Sequence, residues 1–529
     1  MKEPILNINL ILTYFRLNRN WLSAYSIYLL LVWLFAAIRY RYVWITGDDP
    51  NLLVQGMLTR NNLQPNFDFV SGYPGLGQFV YSFFLTVFGK SIFTQHIYTA
   101  VIASLLGLIL ALTLRNLPVT INGSLLIFTY HQQHAVNPTP NPGFLSEIFF
   151  LLGYIFFLKD SQCKSSSKRL VFSGVMFGIS FLAKQYALVI LPIAFIYFYS
   201  KIKISSRYFA IIRYSIISFT GLSFGLGYFL VLIPDQSRYM ALENLLLLTI
   251  PFALFVLNMN KFGGGEQINL SQAIKRLTHI YLSFILTISL GLVLMYRNLH
   301  LPFLVNEVLI VAPKRINQYV GQIQFSSSYI IQTISTIMFL AIVLIIFMNS
   351  SRKYGNIYSV ILSHFLLISI AVITFSYIGN LSSTVFLVLP SIVLEYFIFK
   401  RIVIYEKAVV LMLVVAIYLY VLIPYPNINF HVSFLVLILG FVFQQFNLRQ
   451  KSNQHYLLQI TFPFLLAIAL LVHQINFVNS LQVYRFENIS FVSPDLGWKA
   501  EIDKAKIING GYQDCDSNAC KMLILLIQK

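Results

Sequence analysis

Apolar runs of spanning or near-spanning length recur along the whole chain, the first at roughly 23 to 45 and the last at roughly 456 to 474. Between them lie runs near 94 to 114, 119 to 134, 143 to 158, 170 to 183, 186 to 200, 214 to 234, 240 to 257 and 278 to 296. Others follow near 328 to 349, 356 to 378, 383 to 399, 408 to 423 and 432 to 446. A helix satisfies its backbone groups internally and needs about 20 residues to cross the hydrocarbon. The pattern therefore predicts an all-α polytopic membrane protein with about 13 to 15 transmembrane helices. The segment 46–93, between the first two runs, breaks the pattern. Leu52 to Leu58 has helical apolar spacing, and Gly72-Tyr73-Pro74-Gly75-Leu76-Gly77 opens a short aromatic-rich run, Phe79 to Phe88, closed by Gly89. Amphipathic segments of this form lie in the membrane interface, where they would floor a cavity.

Composition agrees with that reading. Of 529 residues, 57% are apolar and only 10% charged, whereas a soluble domain carries about 25% charged residues, so a soluble globular protein is excluded. Three cysteines exclude a disulfide scaffold. The charge balance, 37 Lys+Arg against 18 Asp+Glu for a net +19, suggests nucleic acid only until the cations are located. Arg16, Arg115, Lys164, Lys201, Lys261, Arg352, Lys400 and Arg449 all fall in alternate connections, with few acids beside them. Basic loops stay in the cytoplasm, which places the N-terminus inside and 46–93 outside. The excess charge is then topology, and no basic soluble face remains for nucleic acid.

The chain divides into a cytoplasmic segment 1–22, a core 23–234 containing the external loop, further helices 235–474, and a small external tract 475–529. The first apolar run is expected to be retained, since Arg39 and Arg41 stand where a signal peptidase would need small residues. Cys515 and Cys520 lie in the external tract, where a bridge and two free thiols both remain open.

Two adjacent carboxylates, Asp48 and Asp49, follow the first helix in a chain with few acids. Downstream come Tyr73-Pro74-Gly75-Leu76, then Val87-Phe88-Gly89, and further on the element from Gly174 through Gly178 to Lys184-Gln185. This order resembles the membrane glycosyltransferases of the GT-C fold, particularly family 39-like bacterial relatives of protein O-mannosyltransferases and of lipid A aminoarabinose transferase. The family has an acidic pair after helix one, a Tyr-Pro-Pro-Leu or Lys-Pro-Pro-Leu motif, and a Gly-rich helix ending in Thr-Lys. Here the second proline is replaced by Gly75. The likeness covers about residues 25 to 200.

The resemblance implies sugar transfer from a polyprenyl-phosphate carrier to a lipid, glycan or protein acceptor of the cell envelope, at the outer face of a bacterial inner membrane. An acceptor hydroxyl needs a base to take its proton, a role that falls to Asp48 with Asp49 beside it. Like-charge repulsion should raise the pKa of one of the two. Attack opposite the leaving phosphate would invert the anomeric centre through an oxocarbenium-like transition state. The departing phosphate gains negative charge that a fixed cation would stabilise. Lys184 stands at the family's lysine position. Tyr73 belongs to the motif; Asn141 takes the place of a family acidic or polar residue in the turn between helices three and four, with Glu147 able to supply the charge. Arg238, Arg297, Lys314 and Arg315 are further external cations. A divalent cation varies across the superfamily and is left open; His131 and His134 lack a third ligand nearby.

Two other readings stay open. A polysaccharide polymerase or ligase would use Arg297, His300, Lys314 and Arg315. A lipid-linked sugar flippase or transporter would show no transfer, and the acids inside apolar runs, Glu147, Glu243 and Glu395, all sit near an end rather than at a midplane.

Overall fold

The computed structural model describes residues 19–39, 49–69, 71–89, 92–131, 133, 141–160, 167–203, 211–213, 215–217, 219–220, 267–297, 299–311, 433–434, 436–437, 440, 460–461 and 463–472. The apolar runs between 328 and 423 and the tract carrying Cys515 and Cys520 lie outside the described residues. The described elements are helical, with no strands among them. In chain order they are α1 (Arg19–Arg39), α2 (Asp49–Arg60), α3 (Leu76–Phe88), α4 (Ile92–Thr113), α5 (Val119–Tyr130), α6 (Pro142–Asp160) and α7 (Ser167–Ala183). A 3-10 turn, Gln185–Val189, leads into α8 (Ile190–Ser200), and α9 (Leu270–Met295) precedes the short α10 (Leu301–Val305) and a π-helical turn, Asn306–Val311.

Among the described residues, three helices are long and apolar enough to cross a membrane, over Asn20–Ile38, Phe93–Thr113 and Leu270–Met295. The two short segments of the first loop with helical spacing form helices α2 and α3. The long α9 begins well before the apolar run at 278 to 296. Its start is set by Asn269, whose N–H donates to the Gln272 side chain at 3.0 Å, a capping arrangement that satisfies an otherwise orphaned donor. Lys275 and Arg276 interrupt hydropathy without interrupting the helix. Arg276 is buried, its guanidinium 6.0 Å from the Phe198 ring centroid.

Packing follows small residues. Helix α7 lies between α6 and α9. A Cβ on Gly174 would run into the Ser283 hydroxyl and the Ile280 carbonyl, and one on Gly178 would meet the Phe284 carbonyl at 3.0 Å. The Gly174-Val-Met-Phe-Gly178 spacing thus lets two backbones touch, as small residues do between membrane helices. On the opposite side, the Ser173 hydroxyl donates to Gly153 O at 2.8 Å. Ser146 and Ser180 exchange bonds between α6 and α7, each hydroxyl donating to the other's carbonyl, at 2.9 and 2.7 Å. Elsewhere, the Tyr28 hydroxyl donates to Ala103 O at 2.8 Å, binding α1 to α4. The Asn122 amide reaches Ala111 O and Leu114 O, each at 3.3 Å, at the end of α4, where carbonyls lack helical partners.

Gly174→Val is expected to destabilise the protein by about 1 to 3 kcal/mol through overpacking, read as a lower thermal unfolding midpoint in detergent. The exposed neighbour Val171→Ala should change stability by no more than about 0.5 kcal/mol in the same measurement.

Candidate functional site

The turn between α2 and α3, residues 61–75, is built around Asn66. Its backbone takes a left-handed conformation, φ 65°, which asparagine tolerates better than most residues. The Asn66 amide donates to Tyr73 O at 2.6 Å, and its carbonyl oxygen accepts from the N–H groups of Ser71 and Gly72, at 3.3 and 2.9 Å. One side chain thereby organises the backbone of Ser71, Gly72 and Tyr73. Gln78, at the start of α3, donates to Ser71 Oγ at 2.7 Å and to Gln55 of α2 at 2.9 Å, so the loop is anchored to both flanking helices.

Residues distant in sequence complete the anchorage. The Tyr296 hydroxyl, just beyond α9, donates to Pro74 O at 2.6 Å. Burial raises its pKa above the ordinary phenol range, so it remains a donor at any working pH. Gly75 has φ 120°, a value closed to proline, whose ring holds φ near −65°. The chain turns at Gly75 so that its backbone can pass the Tyr296 hydroxyl, which a Cβ there would strike. Gly77 lies against Pro142 at the head of α6, which brings the motif to the turn carrying Asn141.

Lys184 enters from the end of α7. Its N–H closes the last helical turn onto Ser180 O at 2.9 Å, after which the backbone becomes extended, with φ −152° and ψ 131°. The side chain is 4% exposed, and its ammonium stands 5.6 Å from the centroid of the Tyr73 ring, within the range of cation–π attraction. Gln185 then donates to Gly72 O at 3.4 Å and Val308 O at 3.2 Å, stitching the loop to the π-helical turn. Aromatic packing of Phe67 against Tyr296 and Phe303 closes that edge.

Glu147 also lies near Lys184. It is buried in α6, accepts from the Gln133 amide at 2.9 and 3.2 Å and from the Ser433 hydroxyl, and lies within electrostatic reach of Lys184. Such donors and a nearby cation lower the cost of burying its carboxyl group. The site thus groups half-buried Tyr73 with buried Lys184 and Glu147, braced by amides.

The sequence-derived residues fall into distinct places. Tyr73, Lys184 and Glu147 come together. Asn141 lies close by, but its side-chain oxygen accepts from the Gly143 N–H at 2.8 Å, capping α6 just before Pro142. Asp49 opens α2, although its side chain, like the whole of Asp48, Arg238, Lys314 and Arg315, is outside the described residues. Arg297 is exposed and follows Tyr296 directly, at the end of α9 nearest the loop. His300 caps α10, its Nδ1 accepting from the Phe303 N–H at 3.3 Å. Buried His131 belongs to no group of three or more metal-ligand side chains among the described residues.

Asn66, Gln133, Gln185, Tyr296 and Ser433 are site residues that sequence reasoning did not assign a role. Only Gln185 was signposted, as the residue after Lys184. Compared with known proteins, the chain matches no family, no curated protein and no solved structure.

Removing the Asn66 side chain should loosen the loop. Asn66→Ala loses three hydrogen bonds and keeps a strained φ, with an expected cost of about 2 to 4 kcal/mol. Asn66→Gly relieves the strain and should recover about 1 kcal/mol of that. Thermal unfolding midpoints of the two variants, with the rate of proteolytic nicking between 61 and 75, would test the ranking.

Proposed function

We propose that this chain is a polytopic GT-C-like membrane glycosyltransferase of about 13 to 15 helices, which moves a sugar from a polyprenyl-phosphate carrier to a cell-envelope acceptor at the external face. The observation that carries the reading is the approach of the Lys184 ammonium to Tyr73. Two motifs more than a hundred residues apart, both implied by the family resemblance, share one buried site. Independent helices of an arbitrary membrane protein have no reason to place them together.

In this reading the donor's phosphate lies against Lys184, whose fixed charge stabilises the negative charge that grows on the leaving oxygen. Tyr73 presents a ring face to the same cation. Asp48, immediately before α2, takes the acceptor's proton as the new bond to the anomeric carbon forms, and Asp49 keeps the local field negative. The bond between the anomeric carbon and the carrier phosphate breaks as the acceptor oxygen bonds to the opposite face, so configuration inverts. The proton ends on the carboxylate and the electron pair on the phosphate. The residues require no metal for this balance, and a divalent cation at the phosphate would act beside Lys184.

A second reading, a lipid-linked sugar flippase, is favoured by one observation, the deep burial of Glu147 beside a lysine within the helical bundle. Buried charge pairs of that kind also occur in ion-coupled carriers. A polymerase centred on Arg297 and His300 is less favoured, since one His300 ring nitrogen is engaged in capping α10.

Asp48→Asn is expected to lower transfer from a polyprenyl-phosphate sugar in isolated membranes at least 100-fold, the contribution of a general base. Arg297→Ala should reduce it only a few-fold. As the base works unprotonated, the wild-type rate should fall as the pH drops through the carboxylate range, and Asp48→Asn should lack that limb. Absence of transfer by the wild type across envelope acceptors, with carrier translocation intact, would establish the flippase instead.

A further inference from the structure

We infer that Gln185, with Gln78 beside it, reads the sugar of the carrier: the side-chain oxygens of the two glutamines accept hydrogen bonds from hydroxyl groups of the head group, which selects a neutral, hydroxyl-bearing sugar over an acidic one. This rests on the transferase reading above and names the class of its donor substrate.

Asn66 uses both ends of its amide within the loop, donating to Tyr73 O and accepting from the N–H groups of Ser71 and Gly72. Gln185 uses only one. Its amide donates to Gly72 O at 3.4 Å and to Val308 O at 3.2 Å, whereas its side-chain oxygen is buried and has no hydrogen-bond partner. Those neighbours fix which end is which, since two backbone carbonyls can face only the NH2 group. Gln78 repeats the arrangement one residue away. Its amide donates to Ser71 Oγ and to the Gln55 side chain, and its oxygen too is buried without a donor.

A buried acceptor left without a donor is costly, and protein interiors hold few of them. Here two are tied to consecutive loop residues, Ser71 and Gly72. Gly72 directly precedes Tyr73, and Gln185 directly follows Lys184, the cation set against the carrier phosphate in the transferase reading. A sugar joined to that phosphate lies next to the same groups. An amide oxygen has lone pairs and no proton, so it pairs with a hydroxyl and repels the carboxylate of a uronic acid. A site that hydrogen-bonds a hydroxyl also rejects a ligand lacking one, because its own polar atoms then stay unpaired. The bonds that hold the Gln185 amide are long for N–H···O contacts, and the terminal torsion of a glutamine is broad. The oxygen can therefore turn to an incoming hydroxyl while the amide keeps a carbonyl partner. An oxygen closed to water gains more from that bond than a hydrated one, which only exchanges donors.

The test uses the full chain in lipid nanodiscs and displacement of radiolabelled undecaprenyl monophosphate. The competitors are undecaprenyl methyl phosphate, which keeps the diester charge without a sugar, and the undecaprenyl-phosphate glycosides of glucose, mannose, galactose, arabinose and glucuronic acid. The wild type should bind at least one neutral glycoside about tenfold tighter than the methyl diester, and the glucuronoside no tighter than the methyl diester. Gln185→Met, which keeps the side chain's length and removes both polar ends, should bring that preference to within about twofold, and Gln78→Met should lower it in the same direction. A glutamine that only stitches the loop to the π-helical turn would weaken sugar and methyl diesters alike, and an unchanged preference in Gln185→Met would overturn the proposal. A glucuronoside bound as tightly as the best neutral glycoside by the wild type would overturn it without any variant having to fold. Neutral glycosides bound no tighter than the methyl diester would also overturn it, and the transferase reading would still stand on the Asp48 variant. If the labelled carrier itself is not bound, the polyprenyl-phosphate reading fails and the proposal falls with it.

Discussion

The paired hydrogen bonds between Ser146 and Ser180 set the register of α6 on α7, and the site is built outward from that contact. In a hydrocarbon surround neither hydroxyl has water to turn to, so each is satisfied by the other helix. A slide of one turn along either helix would leave both unsatisfied and would separate Glu147 from Lys184. The glycines at 174 and 178 act on the other side of α7. They bring it so close to α9 that backbone atoms meet, and α9 in turn ends at Tyr296, the residue that holds Pro74. A single helix therefore transmits its position to both walls of the site.

The loop between α2 and α3 shows how a tight turn is held with few residues. Left-handed backbone at Asn66, Gly72 and Gly75 folds the segment back on itself, and the Asn66 side chain supplies hydrogen bonds that a regular helix or strand would have supplied from backbone. The loop is then clamped by Gln78 from α3, Gln185 from the end of α7 and Tyr296 from beyond α9. A rigid loop is what an aromatic wall beside a buried cation requires, because cation–π attraction is modest and decays with distance. Glycine at position 75 follows from the same crowding, since its backbone passes the Tyr296 hydroxyl at a φ that proline could not adopt. Proline stiffens a turn through its own ring, whereas here the stiffness comes from neighbours.

Much of the helical framework was legible in the chain. The runs near 23 to 45, 94 to 114, 119 to 134, 143 to 158, 170 to 183 and 186 to 200 all correspond to helices, as do the two short segments of the first loop. The start of α9 was misplaced because Lys275 and Arg276 depress hydropathy, while Asn269 and Gln272 carry a capping signal that hydropathy does not register. In the candidate site, Lys184 and Tyr73 were singled out through a motif resemblance, and the fold brings the two side chains near each other. Gln133, Tyr296 and Ser433 were not, since nothing in the local pattern of any of them differs from an ordinary polar residue at a helix boundary.

What the amino-acid order determined alone was the solvent of each segment and hence the helices: hydropathy is local, and a stretch of apolar residues meets lipid in the same way whatever lies elsewhere. Tertiary structure alone decided which buried polar groups face one another. Ser433 reaches Glu147 across 286 positions of sequence, and Tyr296 reaches Pro74 across 222. Such partners are chosen by the rotation and register of packed helices. A hydrogen bond is made or lost over about one ångström, so pairing depends on distances that only the assembled bundle sets.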